Sequence, residues 1–292
     1  MGTSTAYDGP GGTTPLIPSW LEPDEADHPL APPSVGSPDG QVDDPTDVPP
    51  APPSRLGIPT PAVPNRFSGA RSNFTRFAHS GGSDRASLGR AVSAYVSTSS
   101  GGARQAAQRM GSSRGAGARL LGFLADAQTR GVTEALRSLN LEGLAGRTID
   151  EIFIGLVDYI CPDGGTVDEG IAREAFIETI VELTVLGVND LDGLTSDQMQ
   201  TVFELYATHA IEARLCNDIG TKLITAPADA QTALLAQEQL HDFIRNGVSD
   251  ALTQARTETP ILTQDRVRAF VDSVYERAFG ILKALGDAEA DQ

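Results

Sequence analysis

The sequence predicts a mainly α-helical protein made of three unlike segments. These are a disordered proline-rich tail over residues 1–65, an Arg-rich region of short helices over 66–137, and an acidic helical bundle over 138–292. Three observations carry this reading. Sixteen of the 19 prolines lie between Pro10 and Pro64, net charge runs −8, +8 and −17 through the segments, and three helix-capping boxes fall within residues 148–198. No alternating strand pattern interrupts the last segment, so a sheet is not expected there.

The tail holds nine carboxylates against one cation, Arg55. It has too little apolar surface to offset the entropy of ordering, and its prolines favour extended conformations. A coil of this length spans about 45 Å between its ends. Its first twenty residues are unlike filler. The apolar cluster Leu16, Ile17, Pro18 and Trp20 contains the only Trp of the chain. Removal of Met1 would leave the α-amine of Gly2, a nucleophile with a reference pKa of about 8, on a residue with no side chain to shield it. The myristoylation pattern fails, because Ala6 stands where Ser or Thr is needed.

The middle segment is a basic island of eleven Arg and three carboxylates. Leu88, Val92 and Tyr95 recur at helical spacing, as do Met110, Leu120, Leu121, Phe123 and Leu124. Ser99-Ser100-Gly101-Gly102 and the run Gly111 to Gly117 read as breakers between short helices. Two functions suit such a stretch. Arg104, Arg109, Arg114 and Arg119 are candidates for phosphate contacts to nucleic acid, or for contacts to an acidic protein surface of this chain or of a partner. No named nucleic-acid module is readable, and the flanking acidic segments would repel DNA.

The last segment carries clear helix starts. Thr148 with Glu151, Thr166 with Glu169, and Thr195 with Gln198 each have the spacing at which side chain and backbone satisfy one another's first-turn groups. Apolar residues then recur every three or four positions: Phe176, Ile177, Ile180, Val181 and Leu183; Met199, Val202, Phe203, Tyr206 and Ala210; Leu240, Phe243, Ile244 and Val248; Val267, Phe270, Val271, Val274, Phe279 and Leu282. Five or six helices burying these faces together would leave the carboxylates outside.

Several function classes are disfavoured. No apolar run reaches the roughly 18 residues needed to span a bilayer, and residues 1–30 do not resemble a signal peptide, so a bacterial cytoplasmic location is expected. Cys161 and Cys216 make no disulfide framework. There is no phosphate-binding P-loop, nucleophile elbow, His-Glu-x-x-His or Cys-x-x-Cys motif, so neither an enzyme nor a bound cofactor is expected. The best metal candidate is His209 with Cys216 seven residues on, joined by His241 or Cys161. Such residues are ordinary in a bundle, and no metal site is assigned. The stretch Asp163 to Glu169 fails as a calcium loop, because Gly165 and Val167 occupy ligand positions, and reads as a turn before a helix cap.

The head Met-Gly-Thr-Ser, Gly9-Pro-Gly-Gly, Pro15-Leu-Ile-Pro-Ser-Trp20, the proline-rich gap, the Arg66 to Arg119 island with Ser-Gly-Gly-Ala-Arg104, and the acidic helical end together resemble the B components of bacterial Qat anti-phage defence systems. The resemblance implies a non-enzymatic defence component working beside a P-loop ATPase, a QueC-like enzyme of the 7-deazapurine type and a TatD-like nuclease. It further implies that Gly2 accepts an acyl group from the QueC-like partner. Thr3 and Ser4 would add little bulk near the amine, and Leu16, Ile17, Pro18 and Trp20 would dock on the enzyme.

Overall fold

The structure is a computed structural model, which describes residues 65–187, 191, 194–220, 230–259, 262–263 and 265–291. Gly2, Thr3, Ser4 and the Leu16, Ile17, Pro18 and Trp20 cluster lie outside the described residues. Ten α-helices and no strand occur among the described residues: α1 (Ser68–His79), α2 (Arg85–Ala94), α3 (Ala103–Gln108), α4 (Gly111–Arg130), α5 (Val132–Ser138), α6 (Ile149–Ile160), α7 (Val167–Val185), α8 (Ser196–Ile219), α9 (Ala230–Glu258) and α10 (Val267–Ala290). A π-helical turn, Tyr95–Ser99, ends α2, and a 3₁₀ turn, Glu142–Leu144, precedes α6.

All three expected capping boxes form, starting α6, α7 and α8. The N–H of Thr166 donates to Glu169 Oε2 at 2.9 Å, and the N–H of Glu169 donates to Thr166 Oγ1 at 3.2 Å. Thr195 and Gln198 repeat this exchange at 2.9 and 3.2 Å. Each box satisfies donors that the first turn would otherwise leave open.

One hydrophobic core runs through the basic and acidic helices alike. Helix α10 packs on α2, α3, α4 and α9, while α7 packs on α4, α6 and α8. Rings tie the two halves of this core together. Tyr95 stacks on Phe67 at 5.8 Å and meets Phe279 at 6.4 Å; Phe176 meets Phe153 at 5.7 Å and Tyr206 at 6.3 Å. Pairs at these separations gain stabilisation beyond their buried area.

Two local expectations are corrected. The run Gly111 to Gly117 does not break the chain but forms the first turns of α4. A Cβ added at Gly117 would lie 3.2 Å from Tyr206 and 3.3 Å from Phe203. The small residues therefore let α4 approach α8, and their helix-weakening tendency is overridden by packing. The other breaker holds, with Gly101 and Gly102 at φ of 88° and 111° before α3. On α7, Phe176, Ile180 and Leu183 are buried as expected, but Ile177 and Val181 are 45% and 54% exposed. The helix has apolar residues on two faces, and contact with α8 selects the one bearing Ala172, Ala175 and Phe176.

Candidate functional site

Much of the basic island is engaged within the fold, by carboxylates at Arg85, Arg114, Arg130 and Arg137 and by backbone carbonyls elsewhere. Arg85 pairs with Glu289 at 3.0 Å, Arg90 donates to Ala290 O at 3.4 Å, and Arg71 donates to Asp218 O at 3.0 Å. Among the four singled-out cations, Arg114 pairs with Asp272, and Arg119 Nε donates to Ile160 O at 2.8 Å, satisfying a carbonyl at the end of α6. Arg109 is half-buried, and its Nη1 is shielded from water with no hydrogen-bond partner. Burial and the nearby Arg66 charge hold its guanidinium below the usual range. Arg104 is exposed. Of the four, Arg114 and Arg119 are thus engaged and Arg109 is shielded within the fold. A groove of about 820 Å³ along α4 receives Arg119, Arg130 and Arg268, but Asp126 and Glu169 line it too.

A polar network binds four elements, α4, α7, α8 and the π turn. Arg214 on α8 donates to Asp218 Oδ2 at 3.2 Å and to Asp168 Oδ1 at 3.3 Å. Tyr95 in the π turn donates to Asp218 Oδ2 at 2.9 Å, and the N–H of Ser112 donates to Asp168 Oδ2 at 2.8 Å. Asp168 thus caps the start of α4 from the first turn of α7. The Asp163 to Glu169 stretch is a structural turn and cap, as its sequence indicates. Desolvation, the Asp218 charge and its hydrogen bond push the Tyr95 hydroxyl far above its ordinary range, so it stays protonated and donates to Asp218.

The helices also bring titratable groups to a cleft of about 900 Å³ between α7, α8 and α9. His209 Nε2 lies 2.8 Å from Glu182 Oε2, and His241 Nδ1 lies 2.8 Å from Glu212 Oε2. The His rings are 5.1 Å apart between centroids. The hydrogen bond that His241 donates to Glu212 raises the His241 pKa above its usual value, against the opposing effect of burial. Arg245 closes one side, 3.5 Å from Glu182 Oε1 and 3.8 Å from Glu204 Oε1. Sequence spacing finds His209, His241 and Cys216 but misses Glu182 and Glu212. Only His209 and Glu212, three apart on α8, carried a local signal; their partners are 27 and 29 residues away.

The two thiols lie apart from one another's chemistry. Cys161 donates to Ala172 O at 3.4 Å in the core, while Cys216 lines the cleft. Desolvation pushes Cys161 up to about 11; desolvation with the Glu212 and Glu174 charges pushes Cys216 up to about 12. Both stay protonated at neutral pH and are poor nucleophiles.

The helices from α3 to most of α10, including the whole cleft, coincide with a family match. The model for "Qat anti-phage system associated protein QatB" matches residues 101–282. The chain belongs to the QatB family. No curated protein and no solved structure matches it. Membership makes the chain an anti-phage defence component and implies partner proteins of the same Qat system. The QatB match begins at the glycine turn before α3 and ends in α10. No helix among the described residues is long and apolar enough to cross a membrane.

Proposed function

We propose that this QatB-family chain is a non-enzymatic subunit of a Qat defence assembly whose N-terminal glycine is the substrate of a QueC-like partner. The observation that carries the proposal is family membership, which supplies a defence setting with partner proteins. The chemistry of the head agrees with it. A QueC-like enzyme activates a 7-deazaguanine carboxylate as an acyl adenylate. The neutral amine of Gly2 attacks that carbonyl, a C–N amide bond forms, the C–O bond to adenylate breaks, and AMP and a proton leave. Gly2 has no side chain to obstruct the approach, and Thr3 and Ser4 are small. Leu16, Ile17, Pro18 and Trp20 give the partner an apolar handle, with Trp20 as the anchor. The helical body holds the assembly, with the P-loop ATPase and the TatD-like nuclease as the other partners.

Intact mass measurement of the chain coexpressed with its QueC-like neighbour tests this. The expected result is loss of Met1 plus one acyl addition localised to Gly2, with Trp20→Ala lowering the modified fraction at least about tenfold, as truncation of a hot-spot anchor does. Loss of Met1 with no further mass, or an addition retained when residues 2–20 are deleted, would overturn it.

The competing reading is a nucleic-acid-binding adaptor using Arg104, Arg109, Arg114 and Arg119. It requires guanidiniums free to release counterions, and three of the four are engaged or shielded within the fold. We therefore expect no salt-dependent binding to DNA or RNA at 50 mM salt that Arg104→Gln abolishes, measured by fluorescence anisotropy. Binding with a steep salt slope that Arg104→Gln and Arg109→Gln reduce would favour the adaptor instead.

A further inference from the structure

The cleft between α7, α8 and α9 carries a feature that the proposed acceptor role does not use. Among the described residues, His209, Glu212 and His241 are the group of three metal-type ligands whose donor atoms converge, each within 4.8 Å of the others. Three atoms so spaced have a common point no more than about 2.8 Å from each, and movement of well under 1 Å brings them to the 2.0–2.2 Å of nitrogen and carboxylate bonds to zinc. Glu182 stands outside that converging group but beside it, its Oε2 2.8 Å from His209 Nε2 and 4.0 Å from His241 Nε2, so that a side-chain rotation would bring it in as a fourth ligand. We propose that Glu182, His209, Glu212 and His241 form a binding site for one divalent transition-metal ion, a two-histidine, two-carboxylate centre in which three helices are joined.

The surroundings suit such an ion. The four side chains are 10–22% exposed, shielded enough to strengthen their charges yet bordering an open cleft that gives an entry path. Glu174, Glu178, Glu238 and Asp242 line that cleft, and among the described residues no Arg or Lys does. Arg245 offsets part of the charge by facing Glu182 Oε1, which leaves Oε2 turned to the histidines. Two imidazoles and two carboxylates are a borderline set, suited to zinc, manganese or iron(II) more than to calcium or copper(I). In the metal-free state each carboxylate takes an imidazole as hydrogen-bond partner, so the site closes on itself when empty. Neutral imidazoles are the ligand form, so binding displaces any imidazole proton to solvent.

The competing account is a purely structural pair of His–Glu hydrogen bonds, and the test separates the two. The full-length chain is stripped with chelator, dialysed and titrated with Zn²⁺ alone by calorimetry, then with Co²⁺ alone by absorbance. One Zn²⁺ per chain is expected, with a rise in Tm on binding. Glu212→Gln and His241→Gln should each weaken binding at least about tenfold, and His79→Gln on α1 should not. Co²⁺ should give visible ligand-field bands and no near-ultraviolet thiolate band, a readout on the unaltered chain that needs no variant to fold. Absence of both a calorimetric and a cobalt signal at one equivalent would overturn the proposal. So would binding that Glu212→Gln and His241→Gln leave intact, and so would a thiolate band, which would hand the site to Cys216.

Discussion

Gly286→Ala is expected to destabilise the chain by about 2–3 kcal/mol and to lower Tm by about 5–10 °C. A Cβ at Gly286 would lie 2.7 Å from the carbonyl oxygen of Gly89, and a Cβ at Gly89 would lie 2.4 Å from the carbonyl oxygen of Gly286. Both obstacles are backbone, so rotamer change offers no relief. Helices α2 and α10 would have to separate, and the loss would spread to Tyr95 and Phe279, which meet at that seam. Gly280, also on α10, is the internal control. A Cβ there meets nothing within 4 Å, so Gly280→Ala should raise stability by about 0.5–1 kcal/mol through helix propensity alone. Paired thermal melts decide the matter: equal Tm values for the two variants would remove the case for a close α2–α10 seam.

Arg214→Leu is the second large effect, expected at about 2–4 kcal/mol by urea unfolding. The substitution keeps apolar bulk but leaves Asp168 and Asp218 facing each other's elements without their shared cation. The side chains of Arg214 and Asp218 are 15% and 11% exposed, so water repays little of that loss. Asp168→Asn should cost less, about 1–2 kcal/mol, because its remaining side-chain oxygen still accepts from the Ser112 N–H, while the charge and the acceptor facing Arg214 are lost. An Arg214→Leu variant within 0.5 kcal/mol of the parent, a bound set by ordinary surface substitutions, would mean that the network is not a structural centre.

The sequence makes local features legible and cross-chain ones opaque. Capping boxes at Thr148, Thr166 and Thr195 depend on residues three apart, and all three form. The buried faces of α8, α9 and α10 likewise follow from spacing within each helix. The α4 glycines were misleading because their use is tertiary: Gly117 makes room for Tyr206, 89 positions later. Ile177 and Val181 failed for the same reason, since an apolar residue says that burial is favourable but not which neighbour supplies it. At the cleft, ligand-type residues His209 and His241 were visible, whereas Glu182 and Glu212 were two among many carboxylates until three helices brought them together. The island's eleven Arg suggested an external anion, but several of them meet carboxylates or backbone carbonyls of the same chain.

The seam between α2 and α10 also sets an order of events during synthesis. Arg85 and Glu289 are 204 residues apart, so α2 can pack on α1 early but gains its α10 partner only when nearly the whole chain has been made. At about 5–20 residues per second, that delay is on the order of 10–40 s. Throughout it the N-terminal head has left the ribosome while the body still lacks its last helix. On the proposed acceptor role, the enzyme would meet Gly2 before the fold closes, and modification would precede assembly.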